Sequence, residues 1–220
     1  TNSFDKLIST KNHIVLGSRG SGKTALIKML SHECLSQLDY PKAKELIEEG
    51  SFIATYIPLK VEWVNSIKSI ESDDQSLFQW SLNLSSCARF IDTIRSCLLT
   101  MVSDDVERVI KEKNIAEQVS EFWFSKKLNK LIDITRELES VEYKKNIIFN
   151  KLKLGVDLSK EDQLIGFNFN IDLFQPLIMA ISVVKAELDI NSDATWCVCI
   201  DEAEFLSKEH HKILNTYMNR

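Results

Sequence analysis

The chain has 220 residues, 44% hydrophobic and 27% charged, with a net charge of −5 and a sequence pI of about 5.5. Such a composition suits one large globular domain, or one domain with an insertion, and it argues against a surface that coats nucleic acid, short of a local basic patch. No apolar run approaches the roughly 20 residues of a membrane span, and the first residues lack a basic-then-apolar leader, so the expected location is cytoplasmic. The five cysteines, an odd number without a spaced framework, are read as reduced and mostly buried thiols. Neither they nor the adjacent His210 and His211 have zinc-ligand spacing.

In chain order, residues 12–16 (NHIVL) are a short apolar run ending at Gly17, which predicts a buried strand. Leu26, Leu30, Cys34 and Leu38 recur every four residues and predict a helix that stops near Pro41. A short helix over 42–49 and a β-branched, aromatic strand over 52–58 follow. A polar stretch fills 65–75. Leu77, Leu84, Phe90, Ile91, Ile94 and Leu98 supply one face of a long helix over 76–101. Residues 104–150 are helical and highly charged. There Leu131, Ile134, Leu138, Val141, Ile148 and Leu152 step like a short heptad seam if Lys145 fills one slot. A short seam that carries a lysine fits a helix packed within its own chain better than a coiled coil. Alternation at 152–158 and again at 167–171 predicts a β-hairpin over about 152–171. Helix resumes over 173–188 with Asp172 as N-cap and Pro176 in the first turn. A third strand, 195–200, runs straight into Asp201 and Glu202, and a last helix covers 207–217.

Gly17-Ser18-Arg19-Gly20-Ser21-Gly22-Lys23-Thr24 fits G-x-x-x-x-G-K-[ST] at every fixed position. The glycines let backbone N–H groups turn inward around phosphate oxygens, where a Cβ would clash. Lys23 is expected to reach the β- and γ-phosphates and Thr24 to give a hydroxyl to Mg²⁺. Ser18, Arg19 and Ser21 take the variable positions of the loop, with Arg19 facing solvent. In WCVCIDEAEF, the strand ends in two acids: Asp201 is expected to hold Mg²⁺ and Glu202 to act as general base on the attacking water.

The adjacent Asp201 and Glu202 resemble the P-loop proteins that use a dedicated glutamate. That resemblance implies an α/β P-loop NTPase core with a mainly parallel sheet, in the additional-strand branch. The additional strand would lie after Arg220, leaving a gap between strands 12–16 and 195–200. The expectation is therefore the N-terminal, incomplete part of a larger ATPase, weak or inactive alone. A mostly helical insertion over about 102–171, with the hairpin, would decorate it. GSRGSGKT, FIATYIPL, LFQWSLNLSSCARFIDTI and CIDEAEFLSKEHHKILNT together resemble the bacterial ORC/Cdc6-like AAA-type ATPases, some of them associated with defence. This resemblance implies ATP with Mg²⁺, a hydrolase acting as motor or switch, assembly into homo-oligomers, and DNA or an effector protein met through regions outside this chain. Sensor residues and an arginine finger would also lie after Arg220; Arg220 itself does not fit that role. An ABC/SMC-like ATPase is the alternative suggested by the long interval between Thr24 and Asp201. Its signature is matched only by Leu158-Ser159-Lys160-Glu161-Asp162-Gln163, which lacks the glycines. A signalling switch with little turnover is the other.

Overall fold

The computed structural model describes residues 3–9, 11–68 and 74–218. Of the polar stretch expected at 65–75, residues 69–73 lie outside the described residues, as does Arg220.

Two strands, β1 (Phe52–Pro58) and β2 (Thr195–Asp201), pair in parallel with Phe52 opposite Thr195 and Pro58 opposite Asp201. Because side chains alternate along a strand, this register sorts the sheet into two faces. Phe52, Ala54, Tyr56, Cys197, Cys199 and Asp201 share one face; Ile53, Thr55, Ile57, Trp196, Val198 and Ile200 share the other. Short helices cover the first face: α1 (Ser3–Leu7), α2 (Lys23–Met29), α3 (His32–Leu35) and α4 (Pro41–Glu48). Phe4, Leu30, Leu35, Ala43 and Leu46 from this layer close over Phe52, Ala54 and Cys199.

The second face meets a larger helical layer. It comprises α5 (Val61–Lys68), α6 (Asp74–Met101), α7 (Asp105–Phe124), α8 (Leu131–Lys153), α9 (Lys160–Leu164), α10 (Gln175–Glu187) and α11 (Lys208–Met218). The spine is α6, whose Leu77, Leu84, Phe90, Ile91, Ile94 and Leu98 are all buried, as the sequence pattern predicts. The α8 face carrying Leu131, Ile134, Leu138, Val141, Lys145 and Ile148 is buried too, and α8 packs on α6 and α7 of its own chain. The lysine does occupy the expected slot, in a salt bridge of 2.8 Å to Glu142.

Four expectations are corrected. The helix expected through Leu26, Leu30, Cys34 and Leu38 is broken, α2 ending at Met29 and α3 starting at His32 behind Ser31, whose side chain caps it by accepting from Cys34 N–H. Residues 12–16 form no strand: Ile14 is 73% and Leu16 is 87% exposed, and among the described residues no strand pairs with them. The hairpin over 152–171 is not formed either. Leu152 ends α8, and Gly155 (φ 67°) closes the helix in a Schellman turn, with Val156 N–H donating to Lys151 O and Gly155 N–H to Leu152 O. Ser159 and Asp162 then form a capping box on α9, and Asp162 is also bridged by Lys151 at 2.7 Å. A one-turn 3₁₀ helix at Phe167–Phe169 follows. Finally, Asp172 does not cap α10. Phe174 takes the N-cap position in a left-handed conformation, and its N–H is satisfied at 2.6 Å by the buried Asn83 of α6.

Candidate functional site

The loop Gly17–Gly22 leads into α2 through residues whose backbone excludes most side chains. Gly20 and Gly22 have φ of 81° and 84°, in the left-handed region where a Cβ is strained. A Cβ on Gly17 would stand 2.5 Å from Ser21 Oγ, so a side chain there would require the serine hydroxyl to turn away. Ser21 N–H donates to Ser18 O at 3.2 Å and Leu26 N–H to Gly22 O at 2.9 Å, which fixes the loop and starts the helix. Among the described residues, the N–H groups of Gly20, Gly22, Lys23 and Thr24 have no acceptor. Lys23 folds back over the loop, its ammonium donating to Gly17 O at 2.7 Å and Ser18 O at 3.1 Å. Arg19 and Thr24 are exposed.

The acids sit at the end of β2. Asp201 is 5% exposed and makes no ion pair among the described residues. Its Oδ2 accepts from the Tyr56 hydroxyl at 2.9 Å and its Oδ1 from the Glu202 N–H at 2.9 Å. Leu59 N–H, just past β1, donates to Asp201 O at 3.2 Å and extends the ladder to the acid. Burial, together with the bond to Asp201 and the charges of Asp201 and Glu202, pushes the Tyr56 hydroxyl well up, against a smaller opposing pull from Arg89. The phenol therefore stays a protonated donor. Glu202 turns the chain in a left-handed conformation (φ 62°, ψ 27°), which a glutamate adopts only at a cost. That conformation ends the strand and starts the 3₁₀ turn Ala203–Phe205.

Asp201 lies on the sheet face that α2 also covers, and α2 packs against β2. The fold thus brings the loop-bearing helix and the acid to the same side of the sheet. No hydrogen bond or ion pair joins Gly17–Thr24 to Asp201 or Glu202 among the described residues. No group of three or more His, Cys, Asp or Glu side chains suited to a metal occurs among them. Mg²⁺ at a nucleotide does not need one: it keeps several waters and phosphate oxygens and takes one or two protein ligands. A buried carboxylate that makes no ion pair among the described residues and a free threonine hydroxyl fit that demand. Cys197 and Cys199 share the same face with their sulfurs 3.8 Å apart. The segment compared with an ABC signature, Leu158–Gln163, is here the cap and first turns of α9. Tyr56 was not singled out by the sequence, where it is one aromatic residue in a strand; only the register puts its hydroxyl beside the acid.

A mainly helical chain with a small parallel sheet, a glycine loop opening a helix and a buried acid at a strand end is compatible with an α/β, P-loop-like core. The model of the ORC-CDC6-like family matches residues 1–220, and the chain belongs to that family. Membership implies an AAA-type ATPase that uses a nucleotide. No curated protein and no solved structure matches the chain. Among the described residues, no helix is long and apolar enough to cross a membrane.

Proposed function

We propose that the chain binds ATP with Mg²⁺ at Gly17–Thr24 and hydrolyses it with Glu202 as general base. The observation that carries this reading is the set of unpaired N–H groups at Gly20, Gly22, Lys23 and Thr24, on a loop whose helix packs against the strand ending in Asp201. Backbone N–H groups left without acceptors at a glycine loop suit phosphate oxygens. The Lys23 ammonium, now on two carbonyls of the loop, would exchange one of them for a phosphate oxygen. Thr24 and Asp201 would hold Mg²⁺, which supplies charge neutralisation at the β- and γ-phosphates when bound. Glu202 would accept the proton of the attacking water. Coupled to these steps, the protein would work as a motor or switch, in a homo-oligomer, on DNA or on an effector protein.

A fluorescent ATP analogue and a phosphate-release assay test it. Lys23→Ala should abolish binding and turnover. Glu202→Gln should keep binding and lower turnover by about 10²- to 10⁴-fold, the usual worth of a general base. Turnover that neither change affects overturns the proposal.

The second reading is a signalling switch with little turnover. It is favoured by one feature: among the described residues, no side chain hydrogen-bonds the Glu202 carboxylate to aim it at a water. Tight ATP binding, nucleotide-induced assembly and turnover indifferent to Glu202→Gln would select it.

A further inference from the structure

We propose that Tyr56 is a positioning residue for the metal: its hydroxyl holds the Asp201 carboxylate in the one orientation from which it can serve Mg²⁺ at the nucleotide. This rests on the reading of Asp201 as the metal acid. Asp201 is buried, and among the described residues its carboxylate has two donors, one on each oxygen: Tyr56 on Oδ2 and its own chain neighbour's N–H on Oδ1, both at 2.9 Å. Each carboxylate oxygen accepts two hydrogen bonds, so each keeps one lone-pair direction open. The two donors together fix the plane of the carboxylate and hence where those open directions point. The Glu202 N–H alone would leave the group free to turn about the bond to its Cβ.

Tyr56 is well built for this work. It pairs with Cys199, two residues before Asp201, so its ring runs diagonally along the shared face to the acid. It stands on a strand packed on both faces, not on a loop, and positions held by a strand are the more exact ones. Burial and the neighbouring acids keep its proton on. A phenylalanine would fill the strand as well, so the hydroxyl is what the site uses.

The test measures the Mg²⁺ dependence of fluorescent-ATP binding to the 220-residue chain, with the melting temperature in EDTA as a record of the fold. Tyr56→Phe should keep binding in EDTA and raise the Mg²⁺ midpoint about tenfold, as the loss of an outer-shell partner does at other metal sites. With Mn²⁺ in place of Mg²⁺, its electron paramagnetic resonance signal in the nucleotide complex should broaden in Tyr56→Phe. In Asp201→Asn, adding Tyr56→Phe should shift the midpoint no further, because the tyrosine acts through that acid. A midpoint in Tyr56→Phe within twofold of wild type, while Asp201→Asn shifts it, overturns the proposal and leaves the nucleotide reading intact. Binding that Asp201→Asn and Lys23→Ala leave unchanged overturns the nucleotide reading and the proposal with it. Should Tyr56→Phe melt early, Tyr56→His, which keeps a ring and a donor, decides: a midpoint restored to within threefold of wild type supports the proposal, and one that stays tenfold high in a folded protein overturns it.

Discussion

Glu202 carries two demands that pull against each other. In the proposed hydrolysis its side chain would act as the base, while its backbone sits at φ 62°, where glycine would be comfortable and a glutamate is strained. Glu202→Gly should therefore be more stable than Glu202→Ala by about 1 kcal/mol, read from urea midpoints, although both lose the carboxylate. Equal midpoints would mean the strain is not felt. His32 makes a second demand on the chain. It is fully buried, with Nε2 3.1 Å from the Thr100 hydroxyl, and burial pushes its pKa down to about 4. The folded state then binds fewer protons than the unfolded state, whose histidine titrates near 6.5. Its contribution is whole above pH 6.5 and is lost as pH falls toward 4, by about 3 kcal/mol in all. Unfolding free energies from pH 7 to 4 should show that slope, and His32→Gln should flatten it. Motif chemistry singles out Gly17–Thr24, Asp201 and Glu202 as candidates, because phosphate and metal binding demand those residue types at fixed spacing. The strain at Glu202 and the bond from Tyr56 were not legible, because they depend on φ and on strand register.

Among the elements, α8 and the connection after it separate what periodicity can and cannot report. The seam predicted from Leu131 to Leu152 holds as far as Ile148, Leu152 being half-buried, and Lys145 is 1% exposed, over the Phe149 ring and paired with a one-third-exposed Glu142. Burial pulls the Lys145 pKa down and Glu142 pulls it back up. Removing one partner of such a pair costs more than replacing the buried cation with an apolar side chain. Glu142→Ala should cost about 2 kcal/mol, and Lys145→Met should be neutral or stabilising; the reverse order in thermal melts would show that the pair itself holds α8. In the connection, the alternation of Leu152, Leu154, Val156 and Leu158 imitates a strand, while Gly155 turns the chain out of a helix. What satisfies the backbone beyond it is a distant side chain. Asn83 Nδ2 faces the carbonyls of Phe169, Ile171 and Asp172 at 2.9–3.3 Å, and its Oδ1 takes the Phe174 N–H. No local pattern announces a partner in the middle of α6. Asn83→Ala should cost about 3 kcal/mol, since it strands several buried polar groups at once.

At the scale of the molecule, the sheet decides which backbone is protected. β1 and β2 are covered on both faces and paired along their full length, whereas residues 12–16 match a strand in composition but have no pairing strand among the described residues. A strand's stability comes from its ladder and from the surfaces it covers, not from its propensity. Apolar sequence alone therefore could not reveal that Ile14 and Leu16 stay in water while Ile53 and Ile57 are buried. Amide hydrogen exchange measures this directly, because protection follows paired and buried backbone. In the 220-residue chain, amides of 53–57 should exchange at least 10³-fold more slowly than amides of 13–16. Ile14→Ser should move the melting temperature by less than the scatter of surface substitutions, while Ile57→Ser should cost several kcal/mol. Protection of 13–16 equal to that of β1 would mean that the segment is paired after all. Slower exchange confined to residues 17–26 on adding Mg²⁺ and ATP would separate the loop's response from any ordering of the strand before it.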